Sequence, residues 1–193
     1  TLTAGAVTLT MKGSGTTQTI GGSSALTLPT LQIGSGNGAD ISVVVSQNTT
    51  VAALTFSTPD KNRTVTINSG KTLTVTGNLT LAQPTKDNMA SLLSVGAGTC
   101  TVGGNLIFSG SNNSTKRIAK IAVTSGTFTL GGTLTWMSNS AVATEVITVG
   151  TGTVNFSSSI TQGDKSGTIS LTSSGEINFN STSAPSLTFG GGT

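Results

Sequence analysis

The feature that most constrains the fold is a repeat within the chain itself. Leu93-Ser-Val95 leads through a turn to Gly98-Thr-Cys100-Thr-Val102, a glycine pair, and Leu106-Ile-Phe108. The same plan returns as Ile121-Ala-Val123, Gly126-Thr-Phe128-Thr-Leu130, a second glycine pair, and Leu134-Thr-Trp136. Further copies run from Val65 to Leu81, from Ile147 to Ile160 and from Ile169 to Phe179. Their turn glycines, Gly70, Gly98, Gly126, Gly152 and Gly175, are 28, 28, 26 and 23 residues apart. That spacing is the length of one solenoid coil. Two looser copies precede them. One has Val43 and Val45, a turn near Asn48, then Leu54 and Phe56. The other has Val7, Leu9 and Met11, a turn near Gly15, then Ile20, Leu26 and Leu28.

Each unit reads as three short strands, because alternate residues of a strand share a face. Ile121 with Val123, Phe128 with Leu130, and Leu134 with Trp136 would all point inward. The turn glycine would supply a positive φ at the first corner. The pairs Gly103-Gly104 and Gly131-Gly132 would bend the second. A constant step of four, as from Val102 to Leu106 or Leu130 to Leu134, keeps the inward set aligned across that bend. The third corner varies in length and is polar: Gln83 to Asn88, Ser109 to Thr115 and Ser138 to Thr144. Outward loops of this kind do not disturb stacking. The expected fold is all-β, a parallel β-helix (β-solenoid) of about seven coils with a period of 22–28 residues. It would occupy residues 1–193 as one domain, with an irregular first coil over 1–40, regular coils over 41–180 and a terminal strand over 181–193. An antiparallel β-sandwich is the alternative, but a sandwich has no reason to repeat a whole unit with its corners in register.

Composition agrees with this pattern. Thr, Ser and Gly supply 90 of the 193 residues, and only 8% are charged. Thr favours strands and Gly, Asn and Ser favour turns. Disordered chains lack such regular aliphatic spacing. No apolar run approaches the roughly 18 residues a spanning helix needs. The net charge of +3 comes from scattered residues, with one small cluster at Lys116, Arg117 and Lys120. A basic stripe with stacking aromatics is missing, so nucleic acid is not an expected partner. Cys100 stands alone and falls at an inward position, as a small buried hydrophobe. The chain begins at Thr1 without an initiator Met, which suggests a removed leader or a cut from a longer protein; both fit export.

Thr64-Val-Thr-Ile-Asn-Ser-Gly-Lys-Thr-Leu-Thr-Val-Thr-Gly-Asn-Leu-Thr-Leu81 and Val102-Gly-Gly-Asn-Leu106 resemble the degenerate repeats of bacterial surface β-helices. These include filamentous-haemagglutinin-like adhesins and autotransporter passenger repeats, and the likeness covers roughly residues 40–180. It implies a right-handed parallel β-helix, exported to the cell surface or beyond and used as a fibre, stalk or adhesin. It transfers no catalytic residues.

The chemistry of the side chains leads the same way. With no histidine and only one cysteine, a zinc site is not expected, and a catalytic thiol would lack its histidine partner. The acids are Asp40, Asp60, Asp87, Glu145, Asp164 and Glu176. Glu145 and Glu176 could lie on nearby coils, as the paired carboxylates of a glycosidase must, but most of the acids sit near turns and read as solvated charge. Gly34-Ser-Gly36-Asn-Gly38 lacks the lysine and helix of a phosphate loop and reads as a turn. Phe128, Phe156, Phe179 and Trp136 fall at inward positions. The expectation is therefore a non-enzymatic structural protein with no catalytic, cofactor-binding or metal residues and no cofactor. It would be a rigid stalk or self-assembling filament subunit with an adhesive or matrix role, associating end to end through terminal strands or coil edges. Thr127-x-Thr129, Thr133-x-Thr135 and Thr72-x-Thr74-x-Thr76 motivate the alternative, a glycan- or ice-binding module on a Thr-rich face.

Overall fold

A computed structural model describes residues 7–13, 16–34, 38–57, 60–110, 114–136, 144–158, 160–161, 167–179 and 187–188. Among these every regular element is a strand, and every strand pairing is parallel. Sheet A stacks β1 (Thr8–Met11), β4 (Thr30–Ile33), β7 (Leu54–Phe56), β10 (Leu79–Ala82), β13 (Leu106–Ser109), β16 (Leu134–Thr135), β19 (Ile160–Thr161) and β22 (Leu187–Thr188). Sheet B stacks β2 (Thr17–Ile20), β5 (Ile41–Val45), β8 (Arg63–Ile67), β11 (Met89–Ser94), β14 (Arg117–Val123), β17 (Glu145–Val149) and β20 (Thr168–Leu171). Sheet C stacks β3 (Leu26–Leu28), β6 (Thr49–Val51), β9 (Thr72–Val75), β12 (Thr99–Val102), β15 (Thr127–Leu130), β18 (Thr153–Phe156) and β21 (Glu176–Phe179). The chain visits A, B and C in turn, and each strand pairs with its counterpart one coil away. This is a parallel β-solenoid and not a sandwich. Six inter-coil steps separate the first and last strands of the two seven-stranded sheets.

The alternation in sequence becomes a shared interior. Leu73, Cys100, Phe128 and Val154 form one column in sheet C, and Leu54, Leu79, Leu106 and Leu134 form another in sheet A. Ile121, Val123, Leu130 and Trp136 are buried with them in one continuous apolar cluster. Each such side chain contributes roughly 1.5–3 kcal/mol when fully withdrawn from water. A single coil has no second layer to bury against, so that gain exists only in the stack. The rings of Phe108 and Trp136, on adjacent coils, stack with centroids 5.0 Å apart and planes 7° from parallel.

The looser early coils differ from the sequence expectation. Leu9 and Met11 do not lead a first coil; they pair with Leu31 and Ile33 in sheet A. Strands β4 and β6 each carry an inward pair of their own and complete coils that look gapped in the sequence. Only Pro29 separates β3 from β4, and only Ala52 and Ala53 separate β6 from β7. Without a glycine pair at those corners, two short strands look like one irregular run.

The corner glycines also act differently from expectation. Gly70 does have a positive φ of 68°, but Gly98, Gly126, Gly152 and Gly175 do not. They are needed for close approach. A Cβ on Gly126 would lie 2.0 Å from the Gly98 carbonyl oxygen, and one on Gly152 would lie 2.3 Å from that of Gly126.

Two polar devices bind successive coils. Ser46, Ser57, Thr76 and Thr172 each follow a strand, and each donates both its backbone N–H and its hydroxyl to one carbonyl of the preceding coil. The acceptors are those of Ile20, Ile33, Val51 and Val149. Asparagine side chains bridge in the other direction. The Oδ1 atoms of Asn48, Asn62, Asn78 and Asn105 accept the backbone N–H groups of Thr72, Ala90, Asn105 and Thr133 in the next coil, at 2.9–3.0 Å. Both devices satisfy backbone groups at bends where the sheet ladder is interrupted.

Candidate functional site

Two places stand out from the regular scaffold: the outer face of sheet C and the interior of the corner between sheets A and B.

The outward positions of sheet C form two columns. One runs Thr27, Thr50, Thr74, Thr101 and Thr129 and continues as Asn155 and Asn178. The other runs Thr72, Thr99, Thr127 and Thr153 and ends at Glu176. Strand spacing sets neighbours in a column about 4.8 Å apart, and the i, i+2 step sets the columns about 6.6 Å apart. The amide of Asn155 donates to Thr129 Oγ1 at 3.4 Å, and that of Asn178 to Asn155 Oδ1 at 3.1 Å, so the Thr129–Asn155–Asn178 end of the column is hydrogen-bonded from coil to coil. No charged residue enters either column before Glu176. From β2 to β21 the described corners on each side of sheet C are short, and the longer polar loops of these coils lie between sheets A and B. Of the threonine groups singled out in the sequence, Thr72, Thr74, Thr127 and Thr129 belong to this array. Thr76 is a corner clasp, and Thr135 is on sheet A in register with Ile107.

At the corner between A and B, one interior column breaks the apolar rule. Ile41, Arg63, Ser91, Ala119 and Glu145 are in register from β5 to β17, and all are buried. Arg63 Nη1 donates to the carbonyls of Ala39 at 2.7 Å and Asn62 at 3.2 Å. Gly34, at φ 80°, leaves room for this guanidinium: a Cβ there would lie 2.3 Å from Arg63 Nε. Burial lowers the pKa of Arg63, with the charges of Asp60 and Asp40 opposing the shift. Ser91 Oγ donates to the Ala82 carbonyl at 2.6 Å. Gln83 enters from the end of β10; its Nε2 donates to the Arg117 carbonyl at 3.0 Å and to Thr144 Oγ1. Thr144 N–H donates in turn to Glu145 Oε2 at 3.3 Å. Burial pushes the Glu145 carboxyl upward from its ordinary pKa, against weaker lowering by backbone hydrogen bonds.

The other described acids lie outside this column. Asp40 accepts from Asn62 N and Nδ2, and these bonds hold its carboxyl below the usual range. Asp60 lies 3.5 Å from Lys86 Nζ. Asp87 accepts from Ser114 and from Arg117 Nε, the latter at 2.9 Å, and is likewise lowered. Glu176 is exposed on sheet C, whereas Glu145 is inside sheet B at 0% exposure, so the two glutamates are not brought face to face. Asp164 and residues 35–37 of the glycine-rich turn lie outside the described residues. Among the described residues no three His, Cys, Asp or Glu side chains are grouped to hold a metal ion.

Glu145 is interior and not a solvated turn charge, and its place has a signal in the sequence. It stands two residues before Ile147, as Arg63 stands before Val65 and Ser91 before Leu93, on the same alternation.

Fold and surface together define a β-helix repeat protein. No family model, curated protein or solved structure matches the chain. No helix among the described residues is long and apolar enough to cross a membrane.

Proposed function

We propose that the chain is an extracellular structural element, a rigid β-solenoid that works as a stalk or as the subunit of a surface filament with an adhesive or matrix role. The observation that carries this reading is the continuous stack of parallel coils around one apolar interior. Among the described residues β20 and β21 are paired on one side only, and Leu171 and Phe179, in register with inward Val149 and Phe156, are 51% and 44% exposed. Phe179 stacks on Phe156 at 5.6 Å and presents its other face outward. Such a face can receive a further coil, whether of the same chain or of a second copy. The separation of Glu145 from Glu176 supports a role without catalysis, and the resemblance to adhesin and autotransporter repeats supports the cell surface. Electron microscopy of purified chain tests assembly: rods that lengthen with concentration, and shorten in Phe179→Lys, are expected. Dispersed monomers at high concentration would remove the filament reading.

The threonine array favours a second reading, in which sheet C binds a glycan or ice. Its test is thermal hysteresis and glycan-array binding, each compared with Thr101→Lys. No activity in either assay disposes of it.

A further inference from the structure

Gln83 and Glu145 lie two coils apart, yet they meet through Thr144. Gln83 reaches across because the column between Arg63 and Glu145 is filled by the small Ser91 and Ala119. Their environment is dry: relative exposure is 2% for Gln83, 3% for Thr144 and 0% for Glu145. Both amide hydrogens of Gln83 point toward acceptors, the Arg117 carbonyl and Thr144 Oγ1. Two acceptor oxygens, Gln83 Oε1 and Glu145 Oε1, are then buried without a hydrogen-bond partner.

A buried carboxylate without a cation is among the costliest arrangements in a protein. Among the described residues, the charged groups around this one are all turned elsewhere. On β14, Lys120 is outward beside Val146, and Arg117 is paired with Asp87. Thr168–Leu171 of β20 carries no charge, and Lys86 of the corner loop is engaged by Asp60. Arg63 shares the interior column but is three strands away, about 14 Å at sheet spacing. A proton on Glu145 would remove the buried charge and turn one of the two orphaned acceptors into a donor, and both residues already meet at Thr144.

We propose that Glu145 keeps its proton at neutral pH and donates it to Gln83 Oε1, forming a proton-operated latch that ties the coil of β10 to the coil of β17. The latch releases on ionisation, when Glu145 and Gln83 present only acceptors to one another.

The sign follows from linkage. The Glu145 carboxyl titrates higher in the folded chain than the ordinary value of about 4.3 it has when unfolded. Its stabilising contribution is complete below that unfolded value. As pH rises through the window between the two values, the folding constant falls by about tenfold per pH unit, and above the folded value it stays low. Urea unfolding of the whole chain in EDTA, from about pH 5 to about pH 9, tests this. Wild type is expected to lose stability with rising pH by the slope of one proton. The near-isosteric Glu145→Gln lacks that slope and equals or exceeds wild type at the alkaline end. Carbon-13 NMR of the Glu145 carboxyl in wild type gives an independent reading should the variant fold poorly, and a protonated acid at neutral pH is expected. An ionised carboxyl at neutral pH overturns the proposal, as does an identical pH slope in both proteins. So does stabilisation by added calcium in wild type alone, which would mean that a cation and not a proton satisfies these oxygens.

Discussion

Gly126 sits against the backbone of Gly98 so closely that the two coils touch without any side chain between them. A Cβ on Gly126 would be 3.0 Å from Gly98 C and N, besides its 2.0 Å approach to the carbonyl oxygen. Backbone cannot swing away as a flexible side chain can. Gly126→Ala is therefore expected to cost about 1–3 kcal/mol, the range for overpacked sites. Gly38→Ala is the control. Nothing lies within 4 Å of a Cβ there, and a gain of up to about 1 kcal/mol is expected from the stiffer unfolded chain. Chemical denaturation of both variants decides the matter.

Trp136 is the one tryptophan of the chain and is 4% exposed. Its ring lies on Phe108 and against Gly167, where a Cβ would meet the indole at 2.0 Å. Trp136→Ala should destabilise by about 3–5 kcal/mol, read as a lowered midpoint in circular dichroism. In wild type, tryptophan emission should shift to the red only with global unfolding.

Cys100 is fully buried, and burial pushes its thiol up to about 12. The thiolate is the reactive form, so labelling by a thiol reagent near pH 8 should be slow in native protein and fast in urea. Rapid labelling under native conditions would contradict the packing of β12 between β9 and β15.

Asp40 gives the opposite pH signature to Glu145. Its carboxyl is held low, first by the backbone N–H of Asn62 and then by the side-chain amide. The stabilisation is present above the ordinary aspartate value of about 3.9 and is lost as pH falls through the lowered value. Asp40→Asn should flatten that part of the acid limb of the stability profile and leave neutral pH little changed. An unchanged acid limb would show that the Asp40–Asn62 contact contributes nothing in solution.

What the sequence made legible was whatever repeats. Ile121, Phe128, Leu134 and their counterparts announce their places because aliphatic alternation and a constant step of four survive from coil to coil. Where a position holds a different residue in each coil, register alone reveals it, as with Ile41, Arg63, Ser91, Ala119 and Glu145. The asparagines were legible as turn formers, but not as bridges to the next coil, because the partner N–H is more than twenty residues away. Phe179 was correctly placed in an inward register, yet its exposure depends on what lies beyond β21, which alternation does not report. The threonine columns of sheet C were visible as separate pairs and became one array only when the strands were aligned.

The seam of Gly98, Gly126, Gly152 and Gly175 also governs how such a chain can change over time. Extra residues at that edge would have to pass through a space already filled by carbonyl groups, whereas the turn from sheet A to sheet B already tolerates segments of unequal length. Insertions, tags or grafted epitopes should therefore be accepted along one ridge of the rod and rejected along another. A polymer of such rods would display its variable segments in a single line, with the threonine face kept clear.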